Sequence, residues 1–409
     1  KIELIQKMKS DSKIIKYFKT ENNILYNKGV IEELTIKIAE EYKIELFEIF
    51  PEYKENSVIT EALISSLVWR TKNCINTTTK NYINELVIPY KPYREYFLDV
   101  MLMKVSQQNH PLNAFHLDKL LKVTTLSIRD YFWTQYISRY NDKAFKIVDW
   151  VYDNSHKLNK EVAELYIITL VWLFTTTNKK LRNKSTKSLV KIFSKFPSLV
   201  VKTLKLFENN DDAYLVERLY ASVYGGVVRS DGRDEYIDIA NYIYSVVFEK
   251  KVVCPHILLR DYARQTIEYI CLSREIINID LDKIRPPYKS EWYLKTYSNE
   301  DIDEFIKNKK EGLRNDLQYS LDKIVNSMTT EHGRGVGGYG DFGRYIFGFA
   351  VKRWASQFKN DQELSNLAIM RIFEMGYDAN LHGEFDLSVN SFDRHNNNIE
   401  RISKKYQWI

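Results

Sequence analysis

The chain has 409 residues, 44% of them hydrophobic and 28% charged, with a formal net charge of +6. A disordered segment would hold fewer apolar side chains and more net charge, and the length suffices for one extended repeat array or two to three compact domains. Three cysteines, Cys74, Cys254 and Cys271, with no CxxC pair, argue against a disulfide framework or a zinc site and fit a reducing, cytoplasmic setting.

Residues 1–120 read as a helical segment without a motif that can be placed. Its first stretch, Lys1 to Phe18, is charged throughout and is not a secretory leader. The chain begins without Met and ends on Tyr406-Gln407-Trp408-Ile409 with no cap or polar tail, as expected of a region cut from a longer protein. Residues 121–285 carry the clearest helical periodicity. Leu189, Val190, Ile192, Phe193 and Phe196 make one stripe, and Tyr214, Leu215, Leu219, Tyr220 and Val223 a second. Leu258, Leu259, Tyr262, Ala263, Ile267 and Ile270 make a third. Helix starts are expected at Asp142, Ser198, Asp211 and Asp234, and Pro111 and Pro255 suit a first turn. The most apolar window, Val162 to Phe174, carries Glu164 and is too short to cross a bilayer. Residues 286–409 form a C-terminal helical region that includes a Gly-rich loop at 333–343. The alternation at Phe385 to Val389 is the place for a short strand.

An internal repeat underlies this pattern. Leu181-Arg182-Asn183-Lys184-Ser185-Thr186-Lys187-Ser188-Leu189 matches Leu259-Arg260-Asp261-Tyr262-Ala263-Arg264-Gln265-Thr266-Ile267, and a weaker copy begins Ile128-Arg129-Asp130-Tyr131. The frame is Leu-Arg-(Asp/Asn)-x-small-x-x-(Ser/Thr)-apolar. It resembles the second helix of HEAT-type repeats, where the polar pair ties neighbouring helix pairs and the small residue lets helices approach. One helix pair cannot bury its apolar face alone, so pairs stack. The expected fold is therefore all-α, an α-solenoid of stacked helical hairpins (HEAT/TPR-like) with at most short β elements near the C-terminus.

Motifs for chemistry are weaker. Glu331 to Arg344 satisfies G-x-G-x-x-G from Gly333 and again from Gly335, but a dinucleotide loop needs a strand before it, and Leu317 to Met328 reads as helix. A Gly-rich loop leading into a helix at about Tyr345 to Phe358 is expected, with Arg334 and Arg344 placed to hold an anion or a partner. No G-x-x-x-x-G-K-[ST] loop is present, so the chain should not hydrolyse a nucleoside triphosphate. His382-Gly383-Glu384-Phe385-Asp386 could bind a metal, yet two acids and one His recur by chance. Cys254 two residues before His256 is a weak nucleophile signal, and His256 reads as a helix cap or packed ring. Phe132, Trp133 and Tyr136 could stack bases, but they fall where a helix buries them.

Several segments, in order, resemble the C-terminal helical region of Avs-type antiviral STAND NTPases. They are Arg129 to Trp133, Asn178 to Val190, Asp211 to Ala221 with Tyr224-Gly225, Leu258 to Arg264, Asp341 to Tyr345, Leu381 to Asp386 and Glu400 to Ile409. Together they span roughly residues 125–409. Asn183 stands where Asp is usual and Ser403 where Gly is usual. The resemblance implies a sensor or scaffold region that recognises a phage protein, the large terminase subunit or the portal. An ATPase and an effector elsewhere in the polypeptide would then oligomerise and activate. It implies no catalytic residue, cofactor or metal in this chain, and no membrane partner. Candidate contact residues are Trp133, Tyr224, Arg229, Arg334, Arg344 and Trp354, since Trp, Tyr and Arg dominate interface hot spots; Arg344 with its loop ranks first. The rival readings are a generic helical-repeat scaffold, a metal-dependent nuclease using Glu384 and Asp386, and a nucleic-acid-binding module.

Overall fold

The computed structural model describes residues 13, 16, 17, 27–230, 234–273, 279–291, 295–329, 340, 343–349, 360–389 and 398–406. The chain is all-α. Among the described residues the single β feature is an isolated bridge between Asn178 and Ile399. Contacts divide the chain into two compact units, residues 1–123 with 142–169, and residues 124–141 with 170–409.

In the first unit, helices Lys28–Tyr42 and Ser57–Ser66 pack on each other, and Ser57–Ser66 packs in turn on Lys91–Lys104. Val30, Ile31, Leu34, Ile38, Leu46, Phe50, Ile59 and Ala62 form its apolar centre. Asparagine caps several helices of this unit. The Asn56 carboxamide oxygen accepts from the amides of Val58 and Ile59 at 3.0 and 3.3 Å, and Asn27, Asn76 and Asn113 cap in the same way. The capping supplies partners for amides that have none inside the helix. Arg70 and Glu45, each 1% exposed, form a two-pronged ion pair beneath this layer.

In the second unit, helix Ala213–Arg229 lies between Lys179–Lys195 and Ile257–Ser273. Shorter helices Val200–Phe207 and Tyr236–Ile243 pack across them. The repeated frame sits at these seams. Ser185 and Thr266 of the frame, and Ser222 of the helix between them, are fully buried, and each hydroxyl donates to the carbonyl four residues back at 2.8 Å. A small side chain that satisfies its own hydroxyl lets two helices meet without an orphaned polar group. Gly225 and Gly226 serve the same seam. A Cβ on Gly226 would stand 2.5 Å from Phe193 Cβ, and one on Gly225 would stand 2.8 Å from Val190 Cγ2.

The frame's arginines share one role. Arg129 lies over the Trp172 ring at 5.4 Å, Arg182 over Tyr214 at 5.3 Å and Arg260 over Tyr288 at 4.6 Å. Each also bonds a group on another element: Arg129 to Asp211, Arg182 to the Thr176 carbonyl at 2.8 Å, Arg260 to Ser290 Oγ at 2.9 Å. A planar guanidinium can stack and hydrogen-bond at once, which a lysine cannot.

The C-terminal part supplies a second core, in which Leu126 joins Ile302, Leu317, Leu321, Ile324, Met328, Ile369, Ile372, Phe385 and Ile402. Residues 398–406 then close the unit. Lys179 N–H donates to the Asn398 carbonyl at 2.8 Å, and Glu400 N–H to the Thr177 carbonyl at 3.1 Å. Lys405 Nζ reaches Asp130 Oδ1 and Asp212 Oδ2, both at 2.8 Å, and the Tyr406 hydroxyl donates to Asp130 Oδ2. Asp212 is also the N-cap of helix Ala213–Arg229.

Several sequence expectations need correcting. Phe385 lies in helix Ala379–Ser388, whose Asp378 cap and buried His382, Phe385 and Asp386 follow a helical, not an alternating, period. Asp212, not Asp211, caps its helix, because the Asp211 carboxylate is taken by Arg129. Ser198 lies inside the short 3₁₀ turn Pro197–Leu199, and the helix expected at Asp234 begins at Tyr236 without a side-chain cap. Leu258, placed on the third stripe, is 47% exposed.

Candidate functional site

The residue ranked first from sequence, Arg344, sits in the π-helical turn Gly343–Phe347. The two glycines before it explain its position. A Cβ at Gly340 would run into the backbone of Asn326 and Ser327, and one at Gly343 into the backbone of Met328. Only glycine allows the chain to approach the end of helix Asn315–Met328 this closely. The Gly340 amide donates to the Thr329 carbonyl at 2.6 Å, and the Arg344 amide to the Gly340 carbonyl at 3.0 Å. Phe347 packs half-buried against the C-terminal core, and helix Asp361–Glu374 packs on the same turn.

With its root held, the turn and the residues just after it expose four side chains. Arg344 is exposed, and Tyr345, Ile346 and Phe349 are 53%, 54% and 53% exposed. The Arg344 guanidinium lies 5.7 Å over the Tyr345 ring. Wide π turns carry their hydrogen bonds at a cost and recur at functional sites. Three large apolar groups beside an arginine on a supported base match the composition of interface hot spots. The sequence reading placed this stretch at the start of a helix and missed Tyr345, Ile346 and Phe349. The signal is present in the glycines, which the sequence alone reads as a loop leading into that helix.

The other candidates fall elsewhere. Trp133 is fully buried, its indole N–H donating to the Trp172 carbonyl at 3.1 Å, so it belongs to the core and not to a contact surface. Phe132 and Tyr136 are buried beside it, which removes them as base-stacking groups. Tyr224 is half-buried on helix Ala213–Arg229. Arg229 is exposed and spends one nitrogen on the Gly225 carbonyl at 3.1 Å, closing the last turn of its own helix. Arg334 and Trp354 lie outside the described residues, as does most of the 333–343 loop.

Two further constellations were candidates for chemistry. In the His382 to Asp386 segment the side chains diverge. Asp386 is buried and accepts from the amides of Ile402 and Ser403 at 2.6 and 3.2 Å and from the Tyr377 hydroxyl at 3.1 Å. Burial pushes its carboxyl above the ordinary value despite these donors. His382 Nδ1 accepts from the Asp378 amide and Nε2 meets the Ser127 carbonyl at 3.0 Å, while Glu384 faces out to Arg314. The segment therefore locks the C-terminal helices to residue 127, and its acids do not converge.

At His256, Nδ1 accepts from the Leu259 amide at 3.4 Å and Nε2 faces Glu217 Oε2 at 3.5 Å. Burial lowers the imidazole pKa and raises that of Glu217. Nδ1 therefore caps the helix, as the sequence suggested, while the buried Nε2 faces the Glu217 carboxylate without a hydrogen bond. Among the described residues no group of three or more His, Cys, Asp and Glu side chains could hold a metal, and no helix is long and apolar enough to cross a membrane.

No family model, curated protein or solved structure matches this chain.

Proposed function

We propose that this chain is the recognition region of a bacterial antiphage STAND NTPase, sensing a phage protein in the cytoplasm. The observation that carries the reading is the projecting turn. Arg344, Tyr345, Ile346 and Phe349 stand on a glycine-fitted seat against helix Asn315–Met328. A preorganised apolar and cationic knob loses little entropy on binding, so its contacts count toward affinity. The segment containing it, Asp341 to Tyr345, is one of those that resemble Avs-type proteins.

In this reading the chain performs no chemistry and holds no cofactor. It recognises the large terminase subunit or the portal, and the ATPase and effector parts of the polypeptide then oligomerise and act. The joints between arginine and aromatic rings serve to hold the helical array rigid behind the contact.

The test is a calorimetric titration of the chain with purified phage large terminase and with portal at physiological salt. Saturable binding to one of them supports the sensor reading and names the ligand. Binding to neither, with capture of host proteins instead, assigns the region to scaffolding. Affinity for nucleic acid that falls steeply with salt would assign it to nucleic-acid binding.

A further inference from the structure

The first unit contains a cleft of about 630 Å³, well within the size range of ligand sites. One wall is the turn after helix Ser57–Ser66, comprising Val68, Trp69, Arg70, Thr71 and Asn73. The other is Lys104 and the turn Gln107 to His110. The walls are fixed to each other at the base. His110 Nε2 meets the Leu67 carbonyl at 3.0 Å, and its Nδ1 accepts from the Leu112 amide at 3.1 Å. Burial lowers the His110 pKa, which keeps it neutral in that bridging tautomer. The Gln108 carbonyl accepts from Asn113 Nδ2 at 3.0 Å, fixing the second turn.

The charge inside the cleft is one-sided. Among the described residues no carboxylate lines it. Arg70 is spent on Glu45 below. Lys104 is left, 5.7 Å from the Trp69 ring centre, its pKa lowered by burial. Trp69 is 64% exposed. The rim carries the carboxamides of Asn73, Gln107, Gln108 and Asn109, each able to donate and accept at once.

We propose that this cleft docks an acidic peptide segment of a partner protein. One carboxylate pairs with the Lys104 ammonium, a flat or apolar side chain lies on Trp69, and peptide N–H and C=O groups meet the rim carboxamides. The charge count favours a carboxylate over a phosphate. One ammonium neutralises one monovalent group, whereas a phosphate dianion would keep a charge that the committed Arg70 cannot meet. The proposal stands apart from the projecting turn of the second unit and does not depend on its role.

The test uses the whole chain labelled with 5-fluorotryptophan, the Trp69 fluorine resonance being the one lost in Trp69→Phe. The probes are acetyl-Glu-Tyr-Glu-Leu-Glu-amide, its counterpart with Gln for every Glu, inorganic phosphate and adenosine monophosphate. The acidic peptide is expected to shift the Trp69 resonance saturably and the Gln peptide not to. Lys104→Met should weaken binding by about 10-fold or more, the size of one charge-assisted hydrogen bond, and Lys104→Arg should restore most of it. The other tryptophan resonances and the melting temperature serve as the folding control. A shift with phosphate or the nucleotide but not with the peptide, an equal shift with the Gln peptide, or no shift with any probe overturns the proposal.

Discussion

The two units close their buried polar interiors over very different spans of chain. In the first, Arg70 pairs with Glu45, 25 residues away. In the second, Lys405 and Tyr406 reach Asp130, 275 and 276 residues away. Loop closure costs entropy before a long-range contact repays it. The first unit can therefore settle its charges as its helices form, whereas the second is complete only when residues 398–406 have docked. Both devices remove charges from water, and both gain their worth from the partner's presence. What differs is which part of the chain holds the key residue.

The largest predicted effect breaks this comparison at Lys405. Burial alone would push the Asp130 carboxyl up and the Lys405 ammonium down. The Lys405 charge and the hydrogen bonds from Thr134 and Tyr406 instead hold Asp130 low, and the two aspartates hold Lys405 high. Lys405→Met leaves Asp130 and Asp212 buried without their cation. We predict a loss of about 3–5 kcal/mol in urea unfolding of the second unit. The loss should shrink on acidification, as the stranded carboxylates protonate. Hydrogen exchange should rise at 126–139 and 213–215 and stay unchanged at 28–66. Arg70→Met should give the mirror result, with exchange rising in the first unit alone.

Packing at the array seam comes next. Gly226→Ala sets a methyl against Phe193 Cβ, which sits too near its own backbone to move aside. We expect a loss of about 1–3 kcal/mol, the usual cost of overpacking. Gly225→Ala meets a Val190 methyl at 2.8 Å rather than a Cβ at 2.5 Å, and should cost less. Equal losses would mean that the seam is looser than the geometry indicates.

Acid sharpens the contrast between the units. His116 is brought down to about 4, first by burial and then by Lys80 and Lys119, and burial lowers His110. Histidines with a depressed folded pKa give stability that is fully present above the unfolded value, near 6.5, and is lost as pH falls toward the folded value. The first unit should weaken between pH 6.5 and about 4, and His116→Gln should flatten that slope. His256 gives the second unit one such group, while Asp130 protects its clasp until the pH falls below the carboxylate range. The smallest effect is expected at Ser298, whose hydroxyl accepts from the Asp301 amide at 3.1 Å in a capping box. Ser298→Ala should cost about 1 kcal/mol.

Much of the array was legible because its signals are local. The Leu-Arg-(Asp/Asn) frame and the helical stripes mark positions that do bury and join, since a helix seam is written in residues three and four apart. The asparagine caps were equally local but were passed over in favour of aspartates. The clasp was not legible. Lys405 reads as a surface lysine near a chain end, and nothing in its neighbours points to Asp130. The site was read in half. Arg344 is found from its type, but Gly340 and Gly343 read only as part of a Gly-rich loop leading into a helix. Their actual reason, backbone lying on the backbone of residues 326–328, needs the fold in hand. Trp133 carries two sequence readings, a helix position that is buried and a hot-spot contact; the structure bears out the first, and type alone cannot separate the two.

The most direct test of the proposed recognition role is a titration of phage large terminase and of portal, the proposed partners, against the unchanged chain, Ile346→Asp and Arg344→Glu. Both side chains are exposed and neither belongs to the core, and the melting temperature of each variant serves as the folding control. The account predicts that each change weakens binding by about 30-fold or more, the cost of a hot-spot residue. Unchanged affinity in both variants would contradict the assignment of this turn as the recognition element.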